Sequence, residues 1–370
     1  MTDKPVVAND FRREPASLLN DELHAMERVL RSGWWVLGSE VKAFERSWAG
    51  QTKTTHAIGV GNGLDAIEII LRSLGIGAGD EVVTTAVTAY ATSLAIQRSG
   101  ATPVYADIDP DTACLSAESV ASCITKATKA VLVVHLYGRA ADMDSLQSVC
   151  NTHGIILLED CAQAHGAQHR GRPVGSIGQC GAWSFYPTKN LGAIGDAGAI
   201  TTSDSAIAET AFRLRNYGQT DRYYHLEIGM NSRLDELQAA LLNVRLPWLE
   251  TWTNRRRQIA YAYRTRINHP LIDHLAQEET PESHVHHLYV IRTSNRDQAR
   301  RELDRRGIST LIHYPVASHE QPAATEYRLA PDGVPHALKH CMTCFSLPIH
   351  PYLSDDEVER VVDACNQLEL

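Results

Sequence analysis

No apolar run in the 370-residue chain approaches the ~20 residues that a bilayer-spanning helix requires. Its opening, MTDKPVVANDFRREP, lacks the apolar stretch of a secretory signal, so the expected location is the cytoplasm. Lysine is scarce, supplying only seven of the 35 basic residues, and no Lys/Arg block offsets a net charge of −9. That balance argues against nucleic acid as a partner. The densest basic cluster, Arg255-Arg256-Arg257, reads as a solvated helix face. The eight cysteines show no framework spacing, and Cys161 and Cys180 lie within apolar segments. Reduced, packed thiols fit that pattern better than disulfides. Cys341-x-x-Cys344 beside His340 lacks a second pair at ligand spacing, so no metal site is expected. His284, His286 and His287 run into the alternating HHLYVIR and read as sheet residues rather than ligands.

What is present is an alternation of helical patterns and short β-rich runs between residues 60 and 203. LDAIEIILRSL (64–74) has helical spacing and stops at Gly75. Segments 81–87, 102–108, 130–136, 155–160, 181–186 and 198–203 read as strands. Continuous apolar strands separated by helices predict a mostly parallel sheet covered on both faces. Ligands bind at the carboxyl ends of such strands, which directs attention to the residues there. A long helical pattern follows from Leu234 to Ile267, interrupted at Pro247. After it come a strand (HHLYVIR), a helix (RDQARRELDRRG), IHYP, and a closing helix that Ser354-Asp355-Asp356-Glu357 would cap. The expected division is a large α/β domain over 1–250 and a smaller α+β domain over 251–370.

Three features carry chemistry. The stretch GVGNGLDAIEII (59–70) fails as a dinucleotide fingerprint because Leu64 stands at its third glycine position. Gly63-Leu64 nevertheless opens a helix whose free N–H groups can hold an anion. In LLEDCAQAHGA (157–167), Glu159 and Asp160 end a buried strand, where a carboxylate needs a cation or strong donors. In SFYPTKNLGAIGDAGAITT (184–202), Lys189 sits among aromatics and small residues with no charge before Asp196. A buried lysine, a strand-end acid and a phosphate-ready helix start match what pyridoxal phosphate requires. The amine forms a Schiff base with the aldehyde, and the acid keeps the pyridine nitrogen protonated so that the ring accepts electrons. Burial favours the neutral amine.

These stretches, together with HLYGRAADMD, RLRNYGQ, NSRLDELQAALL and IHYP, make the sequence resemble the nucleotide-sugar aminotransferases of the DegT type. The resemblance spans roughly residues 30 to 350 in order, and it implies the aspartate-aminotransferase-like fold. It gives Lys189 the Schiff-base role and Asp160 the place facing the pyridinium nitrogen. Gln163 is then beside the ring hydroxyl, and Tyr90 stacks on the ring. Gly63, Leu64 and Ser184 take phosphate-binding positions. Asn231 reaches the phosphate from a neighbouring subunit, which implies a homodimer with shared sites. Leu64 stands where many members have threonine, so only its backbone can serve. The bland readings are packing for Tyr90 and Ser184, and a helix-start polar residue for Asn231.

The implied reaction has glutamate leaving its amine on the cofactor and a keto-sugar nucleotide accepting it, with Lys189 moving the proton. Arg215 and Arg222, flanking NYGQTD, are candidates for the sugar's pyrophosphate, and His313 and Tyr314 for substrate contact. Within the family, GWWVLG (33–38) and the Lys189 stretch look most similar to enzymes aminating carbon 3 of thymidine-diphosphate-linked 3-keto-6-deoxyhexoses. A 4-aminotransferase acting on UDP- or dTDP-linked 4-keto sugars is the runner-up. A dehydratase of the same fold would carry histidine in place of Lys189. A non-catalytic regulator would not need Lys189, Asp160 and Gln163 together.

Overall fold

The apolar runs expected as strands become the body of one eight-stranded sheet in the computed structural model, which describes residues 4–370. In spatial order the sheet runs His56–Val60, Gly198–Thr202, Cys180–Ser184, Ile156–Asp160, Thr128–Val134, Glu81–Thr85, Thr102–Ala106 and Arg328–Leu329. Gly198–Thr202 is antiparallel to both neighbours, and the remaining pairings are parallel. The strand Thr128–Val134 shows why both faces must be covered. Ala130 and Leu132 pack with Ile67, Ile70 and Leu158, whereas Val131 and Val133 pack with Val83, Leu146 and Leu157. Alternate residues thus belong to two separate cores. The register sets Val134 opposite Asp160 and Asp160 opposite Ala182, so neighbouring strands end on one rim.

Helices begin where the local chemistry allows. Asn62 accepts the Asp65 N–H at 2.8 Å and so caps the helix Gly63–Ser73. The helix is amphipathic, burying Ile67, Ile70 and Leu71. Two helices that the sequence reading did not mark, Ala16–Ser32 and Ser39–Thr52, precede the first strand. The second has a remote cap: Glu236 accepts the N–H groups of Gly38, Glu40 and Val41 at 2.8–2.9 Å. Gly38 is obligatory there, since a Cβ would lie 2.6 Å from Trp34 and 2.7 Å from the Glu236 carboxylate. Trp48 fills the core beneath, with the ring of Trp183 perpendicular at 4.8 Å.

Pro247 lies in a single 3-10 turn, Leu246–Trp248, between the helices Glu236–Arg245 and Leu249–Arg266, which is the interruption expected of it. Beyond it, Asp273–His274, Tyr289–Arg292 and Cys344–Leu347 form a three-stranded antiparallel sheet. Tyr263, Ile291, Leu303, Phe345 and Val361 make its core. Ser354 and Glu357 form a full capping box on the last helix. Several links cross residue 250: Arg328–Leu329 joins the edge of the large sheet, Val6 bridges to Ile308, and Arg139 bridges to His284.

Two expectations need correction. His284, His286 and His287 are not sheet residues. The strand begins only at Tyr289, and His286 takes a positive φ of 45° that breaks extended backbone. Nor is the arginine triplet a solvated face, because Arg256 is buried at 3% exposure. Three consecutive helical residues point about 100° apart, so an amphipathic helix can turn one inward while its neighbours stay partly wet.

Candidate functional site

The two acids that end the strand Ile156–Asp160 have opposite surroundings, as alternation demands. Glu159 is fully buried and fully used. Its carboxylate accepts from His135 Nε2 at 2.9 Å and from the N–H groups of Gly175, Ile177 and Gly178 at 2.7–2.8 Å. His135 Nδ1 accepts the Ala141 N–H, which fixes the proton on Nε2. Asp160 accepts from Thr92 Oγ1 at 2.8 Å and from the Ala162 N–H at 3.1 Å. No cation lies within ion-pair distance of it among the described residues. Burial therefore raises its pKa, opposed by these hydrogen bonds and by Lys189.

Lys189 projects from a loop that folds back on itself between two strands. The Phe185 N–H donates to Ala197, the Ala193 N–H to Phe185, and the Lys189 N–H to Tyr186, each at 2.8 Å. Gly192 permits the turn, as a Cβ there would sit 2.4 Å from the Pro187 carbonyl oxygen. Asn190 anchors the loop by donating to the Val285 carbonyl at 2.9 Å. The Lys189 amine has no hydrogen bond or ion pair among the described residues. Burial lowers its pKa to about 8, with Asp160 opposing. Three histidine rings share its surroundings. His313 is held near 4 by burial, His165 near 3 and His287 well below its ordinary value, each also disfavoured by the lysine's charge. All three are neutral at physiological pH, and among the described residues Asp160 is the acid that supports the amine's charge.

Gln163 and Tyr314 close the same side. The Gln163 amide donates to Tyr314 Oη at 3.0 Å and accepts the Tyr137 N–H at 2.6 Å. Burial and the Asp160 charge push the Tyr314 phenol up, which keeps it neutral. The adjacent His313 bonds Ser346 Oγ through Nδ1 at 2.8 Å. Tyr90 is the first residue of the helix Tyr90–Ser99, the same helix that delivers Thr92 to Asp160.

The anion cradle lies at the next strand end. The Asp65 N–H is capped by Asn62 and the Ala66 N–H bonds the Asn62 carbonyl, which leaves the Gly63 and Leu64 N–H groups without acceptors among the described residues. Ser184, ending Cys180–Ser184, comes so close that a Cβ on Gly63 would stand 2.8 Å from its own. Two free N–H groups, a hydroxyl and a helix N-terminus thus converge.

Three expected residues do not join this group within the chain. Arg215 turns inward, where it pairs with Glu45, donates to the Gly59 carbonyl at 2.8 Å and covers the Phe212 ring. Arg222 is exposed beside the Tyr223 ring, and Asn231 is exposed next to Asn216. Both belong to a segment rich in exposed apolar side chains, including Tyr223, Tyr224, Leu226 and Ile228. Thr92 and His287 escaped the sequence reading. The i+2 spacing of Thr92 from Tyr90 was the available signal for the first, whereas nothing local marks the second.

The chain matches the DegT/DnrJ/EryC1/StrS aminotransferase family over residues 17–366. It is 46% identical over 343 residues to the dTDP-3-amino-3,6-dideoxy-alpha-D-galactopyranose transaminase of Aneurinibacillus thermoaerophilus, across 93% of this chain and 94% of that protein. It is 40% identical over 357 residues to a pleiotropic regulatory protein of Geobacillus stearothermophilus, across 96% of each. Its fold aligns with S. venezuelae DesV, crystallised in complex with a ketimine intermediate, at a TM-score of 0.95 and 42% identity, covering 99% of this chain and 98% of that one.

Proposed function

The chain belongs to the DegT/DnrJ/EryC1/StrS aminotransferase family, and on that premise we propose that it transfers an amino group from L-glutamate to carbon 3 of a dTDP-linked 3-keto-6-deoxyhexose. Pyridoxal 5'-phosphate is the cofactor of this reading. The observation that carries it is the pairing of an unpartnered lysine amine at a pKa of about 8 with a buried carboxylate that has no cation of its own. The transaminase from Aneurinibacillus thermoaerophilus supports carbon 3 and the thymidine nucleotide. The regulatory name of the Geobacillus relative gives no better account, since a pure binder has no use for an amine so poised.

The residues fit the cofactor. When bound, it supplies an electron sink for the pair released as the proton beside the nitrogen leaves. Asp160, held in place by Thr92 and Ala162, offers the ring nitrogen the negative charge that a protonated pyridine needs. The Gly63 and Leu64 N–H groups and the Ser184 hydroxyl receive the phosphate, and Tyr90 and Gln163 hold the ring. Lys189, neutral for much of its time near pH 8, would hold the cofactor covalently and, once the substrate amine had displaced it, would take and return the substrate proton at Nζ. His313 and Tyr314 border the space left for substrate.

The protein works as a cytoplasmic homodimer in this reading. The exposed Tyr223, Tyr224, Leu226 and Ile228 exceed what a monomer's surface needs and mark the contact. Across it Asn231 completes the partner's phosphate site and Arg222 meets the sugar's pyrophosphate. Arg215, committed to Glu45, has no part in it. The test is Lys189→Ala. It should bind the cofactor without covalent attachment, so borohydride reduction adds no cofactor mass, and amine transfer should cease. Turnover at the wild-type rate would end the proposal.

A further inference from the structure

Arg256 is the one member of the arginine triplet that the fold draws inside, and its pairing is incomplete. Nη1 donates to the carbonyls of His286 and His287 at 3.3 Å and of Ile349 at 2.9 Å. Nε and Nη2 have no hydrogen bond among the described residues, and no carboxylate pairs with the guanidinium. Two of the other buried arginines pair with acids, Arg245 with Glu14 and Glu22 and Arg215 with Glu45, whereas Arg139, like Arg256, has no acid within ion-pair distance among the described residues. An uncompensated buried charge is costly, and burial lowers the Arg256 pKa to about 10.

The missing partner has a place to sit. Arg256 lines a half-open cleft with a cavity volume of about 40 Å³ that also touches Lys189 and Asn190. Three further buried polar atoms in its wall, Trp252 Nε1, His350 Nε2 and Tyr352 Oη, make no well-formed hydrogen bond, and the Trp252 indole bears on the Tyr352 hydroxyl beside it. His350 Nδ1 accepts the Tyr352 N–H at 3.3 Å, so its proton is on Nε2, and that atom is a donor. Trp252 can only donate, and Tyr352 has a hydroxyl proton to give. The acids at the rim are spent, Asp10 on Arg12 and Arg13, and Glu14 on Arg245. The wall therefore offers an arginine without an acid and several donors, with Lys189 at its edge and Arg245 already paired. The Nε–Nη2 edge of a guanidinium matches the two oxygens of a carboxylate.

We propose that this cleft is a carboxylate site, with Arg256 as its cation and Trp252, His350 and Tyr352 as its other donors. The carboxylate comes from the amino donor or its 2-oxo product, held beside Lys189 during turnover, or from a free small carboxylate held apart from turnover. The first source rests on the function proposed above.

Glutarate separates these outcomes because it has the carboxylates of the donor but neither amine nor ketone, and cannot react. It is titrated calorimetrically into the cofactor-loaded protein, with chloride at equal ionic strength as reference. Wild type should bind glutarate. Trp252→Phe combined with Tyr352→Phe, which keeps both rings, should bind it about tenfold more weakly, and Arg256→Lys should weaken it further. If Arg256→Lys fails to fold, the aromatic pair alone decides. No glutarate heat beyond chloride, or equal binding by the aromatic variant, means that the cleft holds water only and overturns the proposal. The source follows from kinetics. A matching rise in KM for L-glutamate with kcat retained identifies the donor, and lost glutarate binding with KM unchanged identifies a separate carboxylate. If wild type transfers no amine, the proposed function fails, yet the titration still decides the site.

Discussion

Replacing Lys189 with methionine should stabilise the cofactor-free protein. In the fold the amine's pKa falls from an ordinary 10.5 to about 8, because burial outweighs the pull of Asp160. A fall of that size is worth roughly 3 kcal/mol, at about 1.4 kcal/mol per pH unit. Below pH 8 both the folded and unfolded chains carry the charge, so the whole penalty bears on the fold. Between pH 8 and 10.5 the folded chain has shed the proton while the unfolded chain keeps it, and stability climbs with pH. Above 10.5 the penalty is gone. Methionine reproduces the length without the charge, so at pH 7 Lys189→Met should exceed wild type by about 3 kcal/mol, with an advantage that shrinks towards pH 10.5. Urea unfolding at matched protein concentration measures both, since a dimer's stability depends on concentration. A variant no more stable than wild type at pH 7, or an advantage that persists unchanged at pH 10.5, refutes the reasoning. Stability given up at a reactive group is the usual mark of an active site.

The acid beside it should separate activity from stability. Asp160→Asn keeps one oxygen to accept the Ala162 N–H and turns its NH2 to Thr92 Oγ1, which can accept, but loses the charge, so kcat should fall by ~10²–10³-fold while urea stability largely holds. Thr92→Val removes the 2.8 Å donor to the buried carboxylate, and should cost the cofactor-free protein about 2 kcal/mol near pH 7. That loss should fade as acid protonates Asp160, whose pKa burial has raised. A Thr92→Val deficit as large at pH 4 as at pH 7 would contradict the assignment.

Much of this was legible in the order of residues because its physics is local. Six apolar runs between turn signals are strands wherever they fold, and a strand-end acid reads the same in any parallel sheet. Ser354 before Glu357 is a cap that needs no distant partner. What escaped depends on residues far away in sequence. Arg215 looked available for an anion until Glu45, 170 positions earlier, claimed it. The triplet 255–257 showed no sign of which arginine would face inward, because helical geometry permits any one of them. Glu236 caps a helix some 195 residues before it, and without that partner Ser39–Thr52 lacks a conventional start signal. The histidines at 284, 286 and 287 run into an alternating stretch, yet the positive φ at His286 keeps the strand from starting before Tyr289.

The central claim is amine transfer at carbon 3, and its most direct test is the reaction run backwards. Pyridoxal-loaded protein is incubated with 2-oxoglutarate and, separately, a dTDP-3-amino-6-deoxyhexose or its 4-amino isomer, and the glutamate formed is counted. The account predicts glutamate from the 3-amino sugar alone. Glutamate from the 4-amino sugar alone would contradict it.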